Sequence, residues 1–306
     1  MNKAAASGMN KRLNTVPDAM RQSILSCALA VALIQGCRLA AAEASGQSLF
    51  PDKNLERAVR KYVFEKRDTD KPLVEADVVN ISTIEGKGLG IADLTGLEKC
   101  VSLASLDLAR NKIKDLSPLK GLSRLQYLDL QSNQVESIAA LSNVVALQYI
   151  ELSHNKVRDL EPLRGLTNLA SLYLASNEIC RIEPVFGLPK LVSLYVDGNS
   201  IRPIAGINQL KSLSTLSLKD NAISDLTPLR GLQGLSWLFL DWNKIRDLGP
   251  LVEMVQNDKE QRFAPFLKVY LEGNPLGPDA TNQLAALKAA GTRVHTEAAK
   301  SASSKE

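Results

Sequence analysis

The chain offers little conventional catalytic chemistry. Its 306 residues contain two histidines, His154 and His295, and four cysteines. Two imidazoles are too few for a His-based zinc set and leave little for a triad. His154 has no serine or cysteine at a designed spacing and reads as a rim contact. Asp197, Asp241 and Glu272 invite an acid–base reading. A glycosidase, however, holds its carboxylates across a cleft, and the pattern below places these three on an open sheet face. No catalytic residue, metal site or cofactor is assigned. The chemistry that does stand out is recognition. Eight of the 14 aromatic residues, Tyr127, Tyr149, Tyr173, Tyr195, Trp237, Phe239, Trp242 and Tyr270, fall on 32 positions related by a repeat. Tyr and Trp combine a large contact area with few rotors and a polar tip.

The element that positions these rings is a 22-residue period. Asparagines recur at Asn111, Asn133, Asn155, Asn177, Asn199, Asn221 and Asn243, and Asn274 follows after a 31-residue step. Counted from each Asn, the positions eight, five and three before and two after are apolar, as in Leu103, Leu106, Leu108 and Ile113. In the last coil the column eight before is filled by Phe266. Self-similarity at such a period signals a stack of equal coils, each burying its apolar face against its neighbours. The segment x-L-x-L-x predicts one short strand per coil, with strands stacked in parallel about 4.8 Å apart. The asparagines have the donors and acceptor needed to satisfy turn backbone groups in a buried ladder. Pro118, Pro162, Pro184, Pro228 and Pro250 lie seven after the Asn, which predicts turns and 3₁₀ segments on the return path.

This L-x-x-L-x-L-x-x-N pattern is that of leucine-rich repeats. The 22-residue spacing and the tails Ile113 to Leu122 and Ile223 to Leu232 resemble the bacterial internalin and SDS22-like class. Phe50-Pro51-Asp52-Lys53-Asn54-Leu55 and Leu94-Thr95-Gly96-Leu97-Glu98 look like the N-terminal segment of bacterial members. The resemblance covers roughly residues 50–277. It implies an α/β leucine-rich repeat solenoid: a curved parallel sheet on the concave face, turns and 3₁₀ segments on the convex face, and helical caps. It also implies extracellular protein recognition without transferring a ligand.

The expected organisation is a leader over 1–44, an N-terminal helical cap over 45–88, about eight coils over 89–277, and a C-terminal cap with a disordered tail over 278–306. Asp52 is placed to cap a helix carrying Leu55, Val59, Tyr62 and Val63. A degenerate first coil has Leu89 at the Asn position, with Ile81, Ile84 and Ile91 in register. Residues 278–289 read as a short helix and 292–296 as a strand. The long step adds nine residues within 252–265, read as a longer convex helix.

In the leader, Arg21 precedes the apolar run Ile24–Ile34, and Leu39-Ala40-Ala41-Ala42 offers a cleavage site. The run has the length of a signal-peptide core rather than a membrane span, so export is expected. Met20 is an alternative start. Ile34-Gln35-Gly36-Cys37 resembles a lipobox, leaving two outcomes open: cleavage near Ala42, or lipidation at Cys37 as the one membrane attachment. Cys100 falls in a core column and Cys180 outward, four coils or roughly 20 Å apart. No disulfide between them is expected.

Alternate strand residues face out of the concave sheet. Their columns, with the residue before each Asn, carry seven acids, Asp107, Asp129, Glu151, Asp197, Asp220, Asp241 and Glu272, against three bases, Arg110, Lys219 and Lys268. The whole chain is +4, most of it in the leader. An acidic face repels phosphate backbones, so nucleic acid is not expected, and a basic or apolar protein surface is. The site read from the sequence is the ring stripe Tyr127, Tyr149, Tyr173, Tyr195, Trp237, Phe239, Trp242 and Tyr270 with Asp241, contiguous along the sheet. The leading reading is an exported, non-enzymatic protein-binding module. A cell-envelope carbohydrate-binding protein and an intracellular phosphatase-regulator-like scaffold are the alternatives.

Overall fold

Each coil contributes a three-residue strand whose central residue points into the core and whose two flanking residues face out. In the computed structural model, which describes residues 48–261 and 263–296, ten such strands run in chain order. They are β1 (Thr83–Glu85), β2 (Ser105–Asp107), β3 (Tyr127–Asp129), β4 (Tyr149–Glu151), β5 (Ser171–Tyr173), β6 (Ser193–Tyr195), β7 (Thr215–Ser217), β8 (Trp237–Phe239), β9 (Lys268–Tyr270) and β10 (Arg293–His295). All neighbours pair in parallel in one sheet of order β1 to β10. The register is residue for residue, so Ser105 faces Tyr127 and Asp107 faces Asp129 across the ladder. Central residues from Ile84 through Leu106, Leu128 and Ile150 to Val269 are fully buried. The molecule is a leucine-rich repeat solenoid.

The asparagine ladder stitches each coil to the one before it. Asn155 Nδ2 donates to the carbonyls of Leu130 and Leu152 at 2.9 and 3.0 Å, and its Oδ1 accepts the Val135 N–H at 2.9 Å. Asn111, Asn133, Asn177, Asn199, Asn221, Asn243 and Asn274 repeat the arrangement. Backbone groups that the turn would otherwise orphan are thereby satisfied. On the convex side the return path is a row of three-residue 3₁₀ turns. Pro118, Pro162, Pro184 and Pro228 each sit in the first residues of one, where the missing N–H costs nothing.

The N-terminal cap is built on α1 (Lys53–Arg60), whose Leu55 and Val59 are fully buried. The helix ends at Arg60, so Tyr62 and Val63 lie beyond it, and Tyr62 is exposed. Asp52 caps it: one carboxylate oxygen accepts the Asn54 and Leu55 amides at 2.8 and 3.1 Å. The other accepts Ala92 and Asp93 at 2.8 and 3.2 Å, tying the cap to the first coil. A short helix, α2 (Glu75–Val78), leads into β1. The long coil carries α3 (Gly249–Gln256) on its convex side. After β9, α4 (Ala280–Ala289) covers the last coil, where its Gln283 Oε1 accepts the Leu248 amide at 2.9 Å.

One core assignment is corrected. Phe266 does not fill the inward column of the last coil; it is 64% exposed, and Leu267 is buried in its place. The 3₁₀ turn Ala264–Phe266 runs up to the strand and shifts the inward position by one residue. The leader, Cys37, the cleavage site and the tail beyond 296 lie outside the described residues.

Candidate functional site

The outward positions of the strands are half-buried where the central ones are fully buried, so the rings stand on the concave face. They form two rows. Tyr127 and Tyr149 stack at 4.6 Å between centroids, Tyr149 and Tyr173 follow at 5.3 Å, and Tyr173 and Tyr195 stack at 4.9 Å. This row changes column between β4 and β5, because Tyr149 opens its strand and Tyr173 closes the next. The second row comprises Trp237, Phe239, Tyr270 and His295. Phe239 and Tyr270 stack at 4.7 Å, and Tyr270 and His295 at 4.5 Å. Trp237 lies parallel to Phe239 and Tyr270 at 6.1 and 6.4 Å, with Lys268 Nζ 3.6 Å above its ring.

The stripe expected to be contiguous is therefore interrupted. Thr215 and Ser217 of β7 separate Tyr195 from Phe239, two strand spacings or roughly 10 Å. β7 thus carries two small side chains where its neighbours carry rings. Ser217 is buried and donates to the Asp197 carboxylate, which also accepts the Lys219 amide at 2.9 Å.

The acids are less free than their column suggests. Asp107, Asp129 and Glu151 each accept the amide two residues on, at 3.1, 2.9 and 2.7 Å. Asp241 is only 8% exposed and accepts the Glu272 amide at 2.9 Å. That geometry makes it a strut between coils, and it leaves the accessible face. Glu85 of β1 joins the column instead, in register with Asp107, Asp129 and Glu151. Burial raises the Asp129 carboxyl above its usual range, against the Gln131 amide and with repulsion from Asp107. Burial likewise raises Glu151, opposed by Ser153 and reinforced by Asp129. The hydroxyls of Tyr127, Tyr149 and Tyr195 are pushed up by burial and, less, by nearby charges.

A feature of the rim has no signature in hydrophobic periodicity. The residue before each ladder Asn sits in the left-handed region: Arg110, Ser132, His154, Ser176, Asp220 and Trp242 at φ between 53° and 59°, with Gly198 and Gly273 in the same place. For an indole this backbone is unusual. Trp242 thus lies on the rim rather than in the rows, half exposed. The recurrence of Ser, Asp, His and Gly was the available hint. His295 was also missed, because it lies past the last repeat. Cys100 is buried, with its thiol pushed up to about 12 by burial and Glu98, and Cys180 is exposed. Among the described residues, no group of three or more His, Cys, Asp or Glu is placed to hold a metal ion.

The geometry defines a leucine-rich repeat array. Family models described as leucine rich repeat and as leucine rich repeats in two copies match residues 101–157 and 145–188. Internalin C2 of Listeria monocytogenes is 32% identical, with a TM-score of 0.64 over 67% of this chain and 91% of that one. The chain belongs to the internalin family of leucine-rich repeat proteins. An internalin (inlF) of the same organism is 25% identical, with a TM-score of 0.70 over 81% of this chain and 76% of that one. The fold is shared further afield by the plant peptide hormone receptor RGFR1 in complex with RGF2, at 20% identity and a TM-score of 0.51 over 59% of this chain and 30% of that one. No curated protein sequence matches significantly.

Proposed function

We propose that the chain is an exported, non-enzymatic module that binds a protein partner through the concave ring rows and their acidic margin. The observation that carries this reading is how the rings are presented. Rings inside a row are spaced at 4.5 to 5.3 Å, so the faces between neighbours are closed and only the outer faces of the end rings stay open. Along the row, edges and hydroxyl tips are what remains for a ligand. Such a surface suits side chains and peptide groups, with Lys or Arg of the partner meeting Glu85, Asp107, Asp129 and Glu151. The rows would act as rigid anchors. Internalin kinship and a fold shared with a receptor solved with RGF2 support the same reading.

A glycan-binding platform needs an open ring face for the sugar to stack on. Trp237 is covered by Lys268, and in this set the ring without a ring partner is Trp242. The carbohydrate reading therefore rests on Trp242 and on the outer faces of the end rings. A photoreactive residue replacing Tyr195 in intact cells tests the proposal. Capture of one protein with no signal on a glycan array supports it, and glycan binding without protein capture overturns it.

A further inference from the structure

The flank at the N-terminal ends of the strands differs in charge from the rest of the solenoid. Six coils return from the convex side through residues 120–126, 142–148, 164–170, 186–192, 208–214 and 230–236. These segments carry six bases and no acid, and the coils on either side add Glu98 before Val101 and Glu253, Asp258 and Glu260 before Phe266. The six segments on the opposite flank, 112–118, 134–140, 156–162, 178–184, 200–206 and 222–228, carry six bases and seven acids. The repeat imposes no such asymmetry, since both flanks are loops with the same apolar columns. The bases are Lys120, Arg124, Arg164, Lys190, Lys211 and Arg230, all exposed. Arg164 and Arg230 reach Glu161 and Glu253 at the border. Lys120, Arg124, Lys190 and Lys211 have no carboxylate partner among the described residues. At the strand spacing the stripe is roughly 25 Å long.

Apolar side chains share this flank. Val101, Val145, Val192 and Phe266 are 50, 50, 42 and 64% exposed, and they make up half of the eight large apolar side chains exposed among the described residues. All four lie in the segments that lead into β2, β4, β6 and β9. The core does not need them, because Leu103, Leu147, Leu194 and Leu267 already fill the inward positions. A row of cations alone would suit any polyanion. Cations interleaved with exposed valines and a phenylalanine suit a surface with phosphates outside and hydrocarbon beneath.

We infer that this flank docks on an anionic phospholipid surface. Lys120, Arg124, Lys190 and Lys211 meet headgroup phosphates, and Val145, Val192 and Phe266 enter the interface. The acidic concave face, on a different side of the coil, then remains open to its partner. The inference is independent of what that face binds.

The test uses the full chain with an environment-sensitive fluorescent amino acid at position 266, or at position 202 on the opposite flank as reference. Vesicles of phosphatidylcholine, with and without phosphatidylglycerol, are titrated in. The expected result is a blue shift at 266 on the anionic vesicles and none at 202. Lys120→Glu with Arg124→Glu and Lys211→Glu should raise the lipid concentration at half-shift at least about tenfold. Lys112→Glu with Lys114→Glu and Arg202→Glu, an equal change of net charge read from the label at 266, should move it less than about twofold. Equal shifts at 266 and 202, no shift at 266, or equal loss in both triple variants would overturn the proposal. So would the same shift at 266 with inorganic polyphosphate in place of vesicles, which would make the site one for polyanions in general.

Discussion

Trp242 rests against Gly273 of the next coil so closely that a Cβ at residue 273 would stand 2.4 Å from the indole Cε3. Both residues occupy the same left-handed rim position, at φ 57° and 70°. The indole is seated by the absence of a side chain one coil on. Gly273→Ala must therefore move the ring and also strain the backbone, with an expected loss of about 2–3 kcal/mol. In the Trp242→Gly background only the backbone part remains, about 1 kcal/mol. A double-mutant cycle by urea melting measures the difference, and additive losses would show that the two residues do not touch.

The ladder predicts a second, larger effect. Asn155→Leu fills the space but leaves the Val135 N–H and the Leu130 carbonyl unsatisfied in the core. With about 1–3 kcal/mol for each buried orphan, the variant should lose about 3 kcal/mol or more. Circular dichroism melts should show the loss, and amide exchange at Val135 should speed up selectively.

The columns of the coil were legible in the sequence because a buried position tolerates few side-chain types. Leu, Ile and Asn recur where the coil leaves no choice. The cap helix was legible for the same reason, through Asp52 and the apolar spacing of Leu55 and Val59. What escaped is set by contacts between coils rather than within one. The second pair of hydrogen bonds, from Ala92 and Asp93 to Asp52, the strut made by Asp241 and the hydrogen bond from Ser217 to Asp197 all depend on which residue comes to lie alongside. Phe266 departs from its column because the longer coil breaks the counting from the Asn. The ring stripe was legible as composition, but its division into two stacked rows was not.

The acids give opposite signs of pH dependence. Asp129 and Glu151 hold their protons more tightly when folded, chiefly because of burial. Their charged forms therefore oppose folding, and stability falls as pH rises from the usual carboxylate range through the raised values. Asp129→Asn keeps the oxygen that accepts the Gln131 amide and removes the charge. It should raise Tm at neutral pH, with the gain vanishing below the ordinary carboxylate range. A gain that persists in acid would point to packing instead.

Asp52 behaves conversely. Burial raises its carboxyl, but the amides of Ala92, Asp93, Leu55 and Asn54 together hold it below the usual range. Its contribution is fully present above the ordinary aspartate value and is lost as pH falls through the lowered one. Asp52→Ala should destabilise by about 1–2 kcal/mol at neutral pH, with the N-terminal cap loosening first in amide exchange. The difference from wild type should shrink in acid.

The central claim is that the ring rows grip a protein. Its most direct measurement is calorimetric binding of the protein captured at Tyr195 to the wild-type chain and to Trp237→Ala with Phe239→Ala. The account predicts that the double variant keeps its fold and loses at least about 2 kcal/mol of affinity. Unchanged affinity in a folded double variant would contradict it and move the binding surface off the concave sheet.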